Sequence, residues 1–83
     1  MRKTKKNTTG PLGECVTRTL KRYFADMNGE QPTGIYGMVI GEIERPLLDL
    51  VMEHADQNQT RAAKMLGINR NTLRKKLEHY GID

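Results

Sequence analysis

The sequence predicts an all-α protein of four helices, the first two building a dimer core and the last two a C-terminal helix-turn-helix. Three observations carry that expectation. The chain of 83 residues has no Trp, one Phe and three Tyr, so its core must rest on Leu, Ile, Val and Met, and Leu and Met favour helices. From Leu12 onward the apolar residues recur every three or four positions, as on one face of a helix. Gly and Asn punctuate these runs where helices are capped or stopped.

Residues 1–10, MRKTKKNTTG, have no apolar pattern and run into Gly10-Pro11, which reads as a solvated, disordered basic tail over 1–11. Leu12, Val16, Leu20, Tyr23, Phe24 and Met27 then mark a first helix over about 12–27. Asn28-Gly29 stops it, Gln31-Pro32-Thr33-Gly34 connects, and Thr33 is a candidate N-cap.

The second periodic run, about Ile35 to Ala55, is apolar on more than one side. Helix one cannot cover it alone, so a homodimeric bundle is the simplest solution, with Leu20, Phe24, Val39, Ile43, Leu47, Leu50 and Val51 as its expected core. Pro46 removes one backbone hydrogen bond and crowds the carbonyl of Glu42, which predicts a kink rather than a break. Gly37 and Gly41, four apart, either mark a close approach of another backbone or merely weaken the first turns.

Asn58 can cap a third helix over about 59–66 that Gly67 ends, and Asn69 a fourth over about 70–79 that Gly81 ends. Helices this short bury little unless they cross steeply over a shared core. Ala62, Ala63 and Leu66 supply one side of that core, Leu73 and Leu77 the other, with Ile68 in the turn. Gly67 can take the left-handed conformation a sharp turn demands. The alternative is an αα-hairpin with no groove to fill.

Charge separates the two. The net charge of +4 divides into +4 for residues 1–10, −4 for residues 11–56 and +4 for residues 57–83. A basic C-terminal unit on an acidic scaffold suggests a polyanion partner, with a tail over 1–11, dimerisation helices over 12–56 and the helix-turn-helix over 57–83. In a helix-turn-helix the second helix enters the major groove of double-stranded DNA. Leu73 and Leu77 face inward, so Arg70, Asn71, Arg74 and Lys75 face outward. Arg70 and Arg74 can bond guanine in a bidentate way and Asn71 adenine, while Asn58, Thr60, Thr72, Lys75 and Lys76 suit phosphate oxygens.

Other classes find little support. One cysteine, Cys15, excludes an internal disulfide framework and a cysteine-based zinc site. His54 and His79 stand far apart without a paired carboxylate or phosphate loop, so no enzyme, metal or cofactor is expected. No run of about 18 apolar residues could span a membrane, and a cytoplasmic location is expected.

The run from Arg45-Pro46-Leu47-Leu48-Asp49 through Asn58-Gln59-Thr60-Arg61-Ala62-Ala63 to Gly67-Ile68-Asn69-Arg70-Asn71-Thr72-Leu73-Arg74-Lys75-Lys76-Leu77 and Tyr80-Gly81 resembles the Fis family, the bacterial factors for inversion stimulation. The resemblance covers about residues 12 to 83. It implies a homodimer whose first two helices intertwine, and two recognition helices closer together than one turn of straight B-DNA, so that binding bends the duplex. It also implies Asn69, Arg70 and Arg74 near base edges and Thr60, Thr72 and Lys75 at phosphates. Nucleoid organisation and transcriptional regulation are the functions implied.

The chain departs from that family in three places. Only the short tail precedes Leu12, where the family has a β-hairpin arm that touches DNA invertases, which counts against invertase stimulation. Glu53, Asp56 and Gln57 occupy the turn through which the family contacts RNA polymerase, so that partner rests on the resemblance alone. Glu78 and His79 stand where the family has lysines, which lowers the expected affinity for the DNA backbone. A helical protein–protein adaptor, with the basic helix docked on an acidic partner, is the alternative function.

Overall fold

A computed structural model describes residues 10–82 and contains, among them, four helices and no strand. They are α1 (Pro11–Asp26), α2 (Ile35–His54), α3 (Gln59–Leu66) and α4 (Arg70–Tyr80). The all-α prediction holds, and the predicted limits of α3 coincide with those observed. Most of the basic tail lies outside the described residues. Pro11, read as its last residue, instead opens α1, because the first helical position has no need of an N–H and suits the fixed φ of proline.

The chain divides into two compact units, one up to Val39 and one from Ile40 onward. In the first, α1 buries none of its residues. Its end is a tight reversal: Asn28 and Gly29 take φ of +55° and +87°, and the Glu30 amide donates to the Met27 carbonyl at 3.0 Å. Two consecutive positive φ values closed by such a bond are those of a type I′ turn, which suits Asn-Gly. The cap of α2 falls on Gly34 rather than Thr33. Gly34 has φ +69° and its carbonyl accepts from the Met38 amide at 3.1 Å, so the last residue before the helix needs a conformation that threonine resists.

The second unit holds the buried core, formed by Leu48, Met52, Ala55, Ala62, Ala63, Leu73 and Leu77. Val51, Leu66, Ile68, Tyr80 and Ile82 pack around it. Ala55 and Ala62 are wholly inaccessible; with no side chain beyond Cβ, they take up little room in the core on either side of the turn between α2 and α3. α2 runs without a break through Pro46. Leu48 and Met52 point into this core, whereas Leu47 and Leu50 remain 44% and 64% exposed.

Three helix ends in this unit close in the same way. At the end of α2 the Gln57 amide donates to Met52 and the Asp56 amide to Glu53; at α3 Ile68 donates to Ala63 and Gly67 to Lys64; at α4 Ile82 donates to Leu77 and Gly81 to Glu78. This paired pattern is the Schellman motif, and it requires a left-handed residue just past the helix. Glycine serves at 67 and 81, but after α2 the left-handed positions are Asp56 and Gln57, at φ +56° and +64°. A non-glycine residue there costs about 1–2 kcal/mol. Replacing Gln57 by glycine is therefore expected to stabilise the fold by about 0.5–1 kcal/mol once the looser unfolded chain is counted. A thermal melt followed by helical circular dichroism tests this; a lower melting temperature would show that the Gln57 side chain outweighs its backbone strain.

Candidate nucleic-acid interface

The two short helices are built from local signals. Asn58, in extended conformation, accepts the Arg61 amide on Oδ1 at 3.0 Å, satisfying one of the unpaired donors of the first turn of α3. Gly67, at φ +77°, turns the chain out of α3. Ile68 then folds back on the core, and Asn69 opens α4 by accepting the Asn71 amide at 2.7 Å. The signals read from sequence thus lie where they were expected.

Leu73 and Leu77 are buried at 0% and 2% exposure, which fixes the rotation of α4. The opposite side then carries Arg70, Asn71, Thr72, Arg74 and Lys75, all exposed. Asn58, Thr60 and Asn69 are exposed as well, at the ends and first turn of the motif. Both asparagines accept the cap bond on their carbonyl oxygen, which leaves their amide NH₂ available as a donor. The first-turn amides of both helices add partial positive charge. Arg61 pairs with Asp56 at 3.6 Å, a solvent-exposed contact of small energetic weight.

Lys76 is placed differently from its neighbours. It is half-buried, and its ammonium lies 2.7 Å from Oε2 of Glu44 on α2. The other oxygen of that carboxylate accepts the Tyr80 hydroxyl at 2.8 Å. Arg45, next along α2, donates from Nη1 to the Tyr80 carbonyl at 2.9 Å, satisfying one of the unpaired carbonyls at the end of α4. The bonds from Lys76 and Tyr80 hold the Glu44 carboxyl below its ordinary value of 4.5, so it stays ionised at neutral and mildly acidic pH. The Tyr80 hydroxyl is pushed above 10.0 by the same carboxylate and remains a donor.

Sequence reading missed Glu44, Arg45 and Tyr80 as parts of the site. Their partners are 35 or 36 residues away in the chain, and no local periodicity couples positions so distant. Among the described residues no group of His, Cys, Asp and Glu is arranged to hold a metal ion, and no helix is long and apolar enough to cross a membrane. Cys15 is exposed on α1.

Two short capped helices joined at a left-handed glycine, the second with one buried apolar edge and a row of cationic and amide side chains outside, define a helix-turn-helix protein. Residues 39–80 match the family described as bacterial regulatory protein, Fis family. The DNA-binding protein Fis of Actinobacillus succinogenes is 55% identical over 75 residues, which cover 90% of this chain and 76% of that relative. Its counterparts in Proteus mirabilis and Sodalis glossinidius are each 53% identical over 76 residues, covering 92% of this chain and 78% of the relative. The chain belongs to the Fis family of bacterial regulatory proteins.

Proposed function

We propose that the chain is a homodimeric protein that binds and bends double-stranded DNA and acts as a nucleoid-associated transcriptional regulator in the cytoplasm. The observation that carries this reading is the exposed row Arg70, Asn71, Thr72, Arg74 and Lys75 on a helix whose other edge is locked by Leu73 and Leu77. A helix so held can enter a major groove without rotating its donors away. Relatives at more than half identity carry the name DNA-binding protein Fis, which supports the same ligand.

Arg70, Asn71 and Arg74, with Asn69 beside them, are assigned to base edges. Asn58, Thr60, Thr72 and Lys75 are assigned to phosphates, whereas Lys76, read from the sequence as a further phosphate contact, is bonded to Glu44 instead. The dimer is supported by the apolar side chains left uncovered within the chain. Phe24, Tyr36, Leu47 and Leu50 are 47%, 80%, 44% and 64% exposed, apolar surface that a second copy of the chain would take out of water. Leu20, Val39, Ile43 and Val51 are only partly covered. A Cβ added at Gly37 meets nothing within 4 Å, which leaves room for a second backbone. RNA polymerase is a further partner on the family resemblance alone, because Glu53, Asp56 and Gln57 depart from the family at the turn that would contact it.

Size-exclusion chromatography and a mobility shift on permuted A/T-rich fragments test the proposal together. A dimer whose complexes migrate differently with the position of the site on the fragment is the expected result. A dimer with no affinity for any duplex would overturn it in favour of the adaptor reading, in which α4 docks on an acidic protein.

A further inference from the structure

Among the described residues, Glu44 is an acidic side chain of another helix that bonds to the basic helix. It sits on α2, yet its carboxylate grips two residues of α4 one turn apart, Lys76 on Oε2 at 2.7 Å and Tyr80 on Oε1 at 2.8 Å. The Lys76 and Glu44 side chains are 36% and 20% exposed, so their contact is a short, partly desolvated, charge-assisted bond rather than a solvated surface pair. Arg45 fastens the same end of α4 through the Tyr80 carbonyl. Lys76 stands on the stripe of α4 that begins at exposed Thr72 and follows directly after exposed Lys75. Its long flexible stem gives the ammonium the reach of the phosphates those residues are assigned to, and the bond to Glu44 holds it toward α2.

We propose that Glu44 is a positioning residue that restrains sequence-independent DNA affinity by withholding the Lys76 ammonium from the phosphate backbone. The proposal rests on the duplex-binding reading above. Phosphate contacts set the salt dependence of binding and carry little sequence information, each adding about −0.9 to the slope of log K against log salt. Removing the charge of Glu44 while keeping its shape should therefore add one such contact for each engaged α4. The hydroxyl of Tyr80 keeps an acceptor in the side-chain amide oxygen that Glu44→Gln supplies.

The test is the affinity of the full chain for a random-sequence duplex between about 50 and 200 mM salt, for the wild type, Glu44→Gln, Lys76→Gln and the double variant. Glu44→Gln is expected to steepen the slope, so that its advantage over wild type grows about threefold toward the lower salt for each added contact. Lys76→Gln should keep the wild-type slope. The double variant should return to it, which separates release of Lys76 from the mere loss of a negative charge. Tyr80→Phe, which breaks the hydroxyl bond but leaves the ion pair, should also keep the wild-type slope, with helical circular dichroism confirming that each variant folds. A flatter slope for Lys76→Gln alone would overturn the proposal, because Lys76 would already be on a phosphate. An unchanged slope for Glu44→Gln, or a double variant as steep as Glu44→Gln, would overturn it too. Failure of the wild type to bind any duplex is visible without the variants and would overturn the duplex-binding reading along with this proposal.

Discussion

Truncating Leu73 to alanine is expected to destabilise the protein by about 2–5 kcal/mol. Leu73 is wholly inaccessible and lies in the cluster to which α2, α3 and α4 all contribute. Its removal forfeits the transfer energy of the buried methyl groups and leaves a cavity that short helices, fixed at both ends by caps, cannot collapse. Domains of this size hold only about 5–15 kcal/mol in total, so the loss is a large share. Urea unfolding followed by circular dichroism reads it as a lower midpoint at unchanged slope. Leu50→Ala serves as the comparison. At 64% exposure within the chain it should cost little in a monomer, whereas a stability that falls on dilution and is sharply lowered by Leu50→Ala would show that Leu50 is buried between subunits. A cost below about 1 kcal/mol for Leu73→Ala would mean that the core is not organised around this residue.

Replacing Arg70 by alanine is expected to lower the preference for a specific over a random duplex by about 5- to 150-fold, the equivalent of about 1–3 kcal/mol for one lost bidentate contact. Arg74→Ala, one turn along the same exposed edge, should act comparably. Neither side chain is buried, and the cap at Asn69 is independent of both, so helicity and melting should be unchanged. Competition binding at one fixed salt concentration provides the ratio. A ratio that does not move with Arg70→Ala would remove that residue from base readout and leave it a phosphate contact, which would show instead as a salt slope shallower by about 0.9.

The helix-turn-helix was legible in the sequence because its signals are local. Asn58, Gly67, Asn69 and Gly81 each act within a few residues of themselves, by capping or by a left-handed turn. Ala62, Ala63, Leu66, Leu73 and Leu77 reveal their shared face through helical spacing alone. Turns without such signatures were not legible. Gln57 holds a left-handed conformation that its side chain does not favour, and Gly34 displaced Thr33 as the cap because backbone conformation outranked hydroxyl chemistry. The charge boundary at 56/57 and the packing boundary at 39/40 likewise mark different things: charge follows the ligand, whereas packing follows Leu48, Met52 and Ala55, which belong under α3 and α4.

By itself, then, the sequence determined the helices, the turn at Gly67 and which side of α4 is basic, since propensity, capping and periodicity are all short-range. Only the tertiary structure decided how the cations of that helix are shared out. Lys75 and Lys76 are adjacent and chemically identical. The first faces water, and the second is bonded to a carboxylate 32 residues back in the chain. Chain distance carries no information about that bond, because it exists only once Leu48, Leu73 and Leu77 have packed α2 against α4.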